Sequence, residues 1–179
     1  KSPPDIMQLH ERMKAKLYAF INPLGRTLRQ YKETDNTVPS RYARAIGHYR
    51  KSDLEKALPL IDGLIAEEPG NAYFHELKGQ MLFENARLLE ALKSYNQAAQ
   101  LQPESALIRR DLARIQIEFN EPALIKAAII NLGAALASEN QSAFTWHLLA
   151  IAHGRNNDLG RSSIALAEEA LLKGNPKFA

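Results

Sequence analysis

Pro69 and Pro103 each close an apolar helical stretch, and they stand 34 residues apart. That interval constrains the chain more than any other feature, because a fixed period of this size marks stacked helix pairs. Aligning the two prolines brings Ala45, Gly79 and Ala113 into one column, and Ala57 and Ala91 into another. Columns of small residues belong where two helices cross so closely that a larger side chain would hold the backbones apart. Trp146, Leu149 and Ala150 open a fourth unit, with Ala150 lying 37 residues after Ala113. Leu64, Phe83, Tyr95 and Leu101 are large enough to fill the space between neighbouring pairs. A single pair cannot bury its apolar face, so at least three must stack.

Local signals divide the chain at the same places. Ser52-Asp53-Leu54-Glu55 has the spacing of a capping box, and Ser105 reads as a further helix cap. Glu68-Pro69-Gly70-Asn71, Gln102-Pro103-Glu104-Ser105 and Asn156-Asn157-Asp158 read as turns. The pattern predicts helices near 5–20, 23–32, 38–50, 53–67, 72–84, 88–101, 105–119, 121–138, 142–154 and 158–173. Period-two alternation, the mark of a strand, is absent. The fold class expected is all-α, a superhelical solenoid of antiparallel helix pairs. Residues 1–37 form an N-terminal helical connector, and units follow near 38–71, 72–105, 106–142 and 143–176. The third unit is three residues long of the period, and Pro122 suits the first turn of its second helix. Pro59 falls inside a helix, where it removes a hydrogen bond and should bend the axis.

The second unit carries the clearest wording: Tyr73-Phe74-His75-Glu76-Leu77-Lys78-Gly79-Gln80, then Glu90-Ala91-Leu92, Tyr95, Ala98 and Pro103. It resembles the tetratricopeptide repeat (TPR). Met13-Lys14-Ala15-Lys16-Leu17-Tyr18-Ala19-Phe20 and Arg41-Tyr42-Ala43-Arg44-Ala45, with the Phe74–Gln80 stretch, resemble the C-terminal region of BepA-type bacterial zinc metallopeptidases. The resemblance runs from about Leu9 to Leu172. It implies a periplasmic, envelope-associated protein of quality control. Zinc would lie in an upstream peptidase domain, and the partners would be that domain together with substrate or outer-membrane assembly machinery. A free-standing, cytoplasmic adaptor is the alternative.

No catalytic, cofactor or metal site is expected in this stretch. The nearest string to a zinc-peptidase motif is His10-Glu11-Arg12-Met13-Lys14, with a cationic lysine where the second histidine should stand. Cysteine is absent, which removes thiolate chemistry and disulfides. No apolar run reaches the roughly 18 residues of a membrane-spanning helix. Residues 1–50 carry ten Lys/Arg against four Asp/Glu, while the rest of the chain is net acidic. Without a Lys/Arg run, that basic quarter points to an acidic neighbouring domain ahead of nucleic acid or lipid. The chain starts with Lys and not Met, which suggests a piece of a longer protein. Gly174-Asn175-Pro176 suggests the start of a capping helix, without which 158–173 keeps an open apolar face able to self-associate.

Recognition is therefore expected on the concave face, which TPR arrays line with positions two, five, nine and twelve of each repeat. These are Tyr42, Ile46 and Tyr49, then Tyr73, Glu76, Gln80 and Phe83, then Leu107, Arg110, Arg114 and Ile117, then Phe144, His147 and Ile151. Tyr42, Tyr49, Tyr73, Glu76, Gln80, Phe83, Arg110, Arg114 and His147 are the candidate protein-binding residues, a mix of rigid aromatics and directional hydrogen-bonding groups. A competing reading has several of these aromatics covered by a neighbouring domain or by the N-terminal helices. Tyr42 and Ile46 stand where a chaperone-binding carboxylate clamp needs Lys and Asn, which disfavours a co-chaperone role.

Overall fold

The computed structural model describes residues 3–174, with side chains from Ile6 onward. Every regular element among them is a helix: α1 Pro3–Ile21, α2 Leu24–Gln30, α3 Val38–Arg50, α4 Leu54–Glu67, α5 Ala72–Glu84, α6 Leu88–Leu101, α7 Ala106–Phe119, α8 Pro122–Ser138, α9 Ala143–Arg155 and α10 Leu159–Leu172. Asn175 and Pro176, on which a following helix was expected, lie outside the described residues.

The repeat is written in the backbone as well as in the sequence. Among the described residues, four non-glycine residues adopt positive φ, namely Ser52, Ala86, Asn120 and Asn157, each between the two helices of a pair. Their spacing follows the repeat, including its one long step. After three of them the chain returns a hydrogen bond to the first helix: Asp53 N–H to His48 O, Arg87 N–H to Leu82 O and Asp158 N–H to His153 O. The left-handed residue thus ends one helix and reverses the chain into the next. This corrects the expected capping box. Ser52 is the left-handed residue, and Asp53 is the N-cap, its side chain accepting from the Lys56 amide. Asp158 repeats the arrangement with the Arg161 amide, while Ser105 and Ser142 cap α7 and α9. Pro122 sits in the first turn of α8 and Pro59 lies within α4, which continues to Glu67. Helices α4, α6 and α10 are 14 residues long and α8 is 17, so the third unit's extra residues extend its second helix.

The chain divides into two compact units, Lys1–Met81 and Leu82–Ala179, with the division inside α5. The core of the first gathers Ala45, Ile46, Ala57, Ile61, Leu64, Phe74 and Leu77, and it also takes in Ala15 and Ala19 of α1. The expected connector is therefore packed into the first unit. Helix α2 meets α3 at Gly47, where an added Cβ would lie 3.0 Å from Leu24 Cδ1 and 3.4 Å from Thr27 Cγ2. The second unit's core is built from Ala113, Ile125, Ala128, Leu132, Leu148, Leu149 and Ala152. Leu159, Ile164, Leu166 and Leu171 of α10 stay exposed.

Ala86 is the least suited of the four left-handed residues, because its Cβ crowds the following carbonyl and it has no side-chain hydrogen bond to offset this. Ala86→Gly should stabilise the protein by about 0.5–1 kcal/mol, the relief of that crowding less glycine's added chain entropy. Urea unfolding monitored by circular dichroism reads the change, and an unchanged midpoint would contradict it.

Candidate interaction faces

In the first unit, the residues expected on an open groove are covered. Tyr42 is 3% exposed, Ile46 fully buried and Tyr49 7% exposed. Their cover is α1, which lies on α3 about as extensively as α4 does, whereas the successive first helices α7 and α9 barely touch. Arg50, at the end of α3, donates to the Ala19 and Asn22 carbonyls at the end of α1, so the two helices run in the same direction. Arg12 Nη1 reaches Glu68 Oε2 at 2.6 Å, and Lys16 Nζ lies 3.4 Å from Glu76 Oε2. Glu76 is itself buried, Gln80 is half-buried, and Tyr73 remains 42% exposed. The Tyr42 ring packs against Phe74 with centroids 5.2 Å apart. Its hydroxyl is buried without a hydrogen-bond partner. Burial first, then the Glu76 carboxylate, pushes the Tyr42 phenol far above its usual range.

In the second unit, the inner positions of α7 and α9 are open in part. The Arg114 guanidinium stacks 4.6 Å from the centroid of Phe83, and Arg110 lies 5.6 Å from that of Phe144. Phe144 is 45% exposed, Leu107 39%, and Arg114 is exposed above its ring. Arg110 also pairs with Asp111 at 2.9 Å. His147 Nδ1 lies 2.8 Å from Glu169 Oε2. Burial raises the Glu169 carboxyl, but hydrogen bonds from Lys173 and His147 outweigh it and hold the group below its usual range. Ile117 is buried and Ile151 half-buried, so the accessible part of the face is Leu107, Arg110, Arg114, Phe144 and His147, with Phe83 beside them.

Neither unit offers a metal centre among the described residues: no three His, Cys, Asp or Glu side chains converge. His10 is exposed and lies 3.6 Å from Glu11, which also pairs with Lys14. These residues therefore do not fit a zinc ion. No described helix is long and apolar enough to cross a membrane.

Comparison with solved structures identifies the architecture. The chain superposes on YrrB, titled a TPR protein with an unusual peptide-binding site, with TM-score 0.73 and 14% identity over 92% of this chain and 85% of that one. MamA AMB-1 aligns with TM-score 0.71 and 16% identity, covering 95% of this chain and 93% of that one. MamA from Desulfovibrio magneticus RS-1 gives TM-score 0.71 and 16% identity, over 78% and 77% of the two chains. The fold is TPR-like. No protein-family profile and no curated protein sequence matches the chain. The narrower likeness to zinc metallopeptidases finds no counterpart among these structures.

His153, at the end of α9, is buried and lies 3.8 Å from Asp158. Burial lowers its pKa below the usual 6.5, Asp158 opposes that and Arg161 adds to it. The unfolded chain therefore takes up a proton first as pH falls. The stability that neutral His153 contributes is complete above about pH 6.5 and is lost progressively below it. Unfolding midpoints between about pH 7.5 and 5 should fall, and His153→Gln should flatten that slope; equal slopes would refute the assignment.

Proposed function

We propose that the protein is a non-catalytic adaptor that binds a peptide segment of a partner protein on the α7–α9 face of its second unit. The observation that carries this reading is the pair of arginines laid over Phe83 and Phe144 on an otherwise open face. An aromatic ring beneath a guanidinium fixes its plane and leaves its N–H edge available to a carboxylate; exposed Arg114 offers that edge, while Arg110 directs Nε and Nη2 to Asp111 beside it. Phe144 and Leu107 supply apolar area beside it. The fitting ligand is an extended or turned segment with an acidic group next to an apolar side chain. YrrB, of the same fold, is titled for a peptide-binding site, which supports a peptide as the class of ligand.

Linkage to an upstream zinc peptidase of the bacterial envelope is the second reading, favoured by the Met13–Phe20, Arg41–Ala45 and Phe74–Gln80 wording. In it the same face would recruit substrate or an assembly partner. A zinc-peptidase motif encoded upstream of Lys1 supports it, and a reading frame without one leaves the free-standing adaptor.

Panning a random peptide library on the protein should enrich Asp or Glu beside an apolar residue. Arg110→Ala/Arg114→Ala should weaken the selected peptide about 10- to 100-fold, as expected for one or two charge-assisted hydrogen bonds. Equal affinity in the double variant, with the circular dichroism unchanged, would exclude this face.

A further inference from the structure

Helix α1 sits in the first unit as a ligand would. It lies along the inner positions of α3, it touches the buried Glu76 of α5, and it runs parallel to the helix it covers. We propose that this face, flanked by Glu68 and Glu76, is a binding site for a basic helix bearing two alanines four residues apart. In the closed chain α1 fills it in cis as a displaceable occupant.

The contacts are those of a helix laid in a groove. Ala15 and Ala19, one turn apart, are fully buried and let the two backbones approach. Arg12 and Lys16, also one turn apart, border them and meet Glu68 and Glu76. Charge and shape therefore read the same stripe of α1, Arg-x-x-Ala-Lys-x-x-Ala.

What holds α1 is a narrow apolar stripe with ion pairs beside it. Met13, Leu17 and Ile21 are 61%, 62% and 68% exposed and add little to it, while Phe20 packs partly buried against the core. Burying two alanines removes little apolar area, and Arg12–Glu68 is partly solvated, which weakens it and makes it salt-sensitive. The Tyr42 hydroxyl, on the helix that α1 covers, is buried without a partner, a cost to the closed chain. A chain-end element held in part by salt-sensitive ion pairs and carrying such a penalty opens at lower free energy than the core beneath it.

The test uses the full chain and a fluorescent peptide spanning Gln8–Asn22. Arg12→Glu/Lys16→Glu should speed hydrogen exchange in α1 and leave α3 and α4 protected. That variant should bind the peptide at least tenfold more tightly than wild type, whose own helix competes. Glu68→Arg/Glu76→Arg should reject this peptide and accept one carrying the Arg12→Glu and Lys16→Glu changes. If charge reversal unfolds the chain, Arg12→Gln/Lys16→Gln carries the same two measurements. Alpha-1 amides as protected in the variant as in wild type, or a folded, opened variant that ignores the peptide, would show that α1 is a fixed part of the fold. The Arg110/Arg114 face takes no part in any of these readouts, so its failure and this one are distinguishable.

Discussion

The close crossing of the two helices within each pair is the constraint on which the rest of the structure depends. In the fourth pair it can be seen directly: Ser162 Oγ donates to the Ala150 carbonyl at 2.9 Å and lies 3.6 Å from where a Cβ on Gly154 would be. Ala45, Ala113 and Ala150, nearly or wholly without exposure, occupy the same place in their helices, and Gly79 is buried there too. With the backbones this near, neighbouring turns interdigitate and the inner side chains fall on one face. The third pair shows how far the rule bends. It sets Ile125 where the first two pairs have Ala57 and Ala91, and its second helix is the long one. A branched side chain at the crossing and an added turn at the far end are the two places where this unit leaves the repeat.

Most of the fold was legible in the sequence because its causes are local. Helix ends follow from residues that act on their own backbone: Asp53, Ser105, Ser142 and Asp158 accept amides, and Pro122 starts a helix. Ser52 was misread because a Ser-x-x-Glu string looks the same whether its serine caps the helix or occupies the left-handed turn before it. Only the repeat decides between them, since Ala86, Asn120 and Asn157 hold that position elsewhere and none of the three belongs to a Ser-x-x-Glu string.

The candidate site was less legible, since periodicity assigns a side chain to a face but not what covers that face. Tyr42 and Tyr49 occupy the same repeat positions as residues that remain accessible in other pairs, yet they are buried. The difference lies well upstream in sequence, in Ala15 and Ala19, whose small size and one-turn spacing prepare α1 to lie flat on another helix. That signal was present in the chain. It could be read only by treating the N-terminal segment as a possible occupant of the groove and not as its approach.

The same logic accounts for the basic first quarter. Its cations meet acids and carbonyls within the first unit: Arg12 with Glu68, Lys16 with Glu76, Arg41 with Glu67, Arg44 with the Lys32 and Asp35 carbonyls, and Arg50 with those of Ala19 and Asn22. The acidic neighbour that the charge pattern called for is thus supplied largely by α4 and α5 of the same unit. In the second unit, Arg110 and Arg114 rest on aromatic rings, and Arg114 is exposed above its own. Arg109 and Arg155 fasten the second unit to its own carbonyls much as Arg44 and Arg50 do the first, so Arg114 stands apart in presenting its guanidinium outward above a ring.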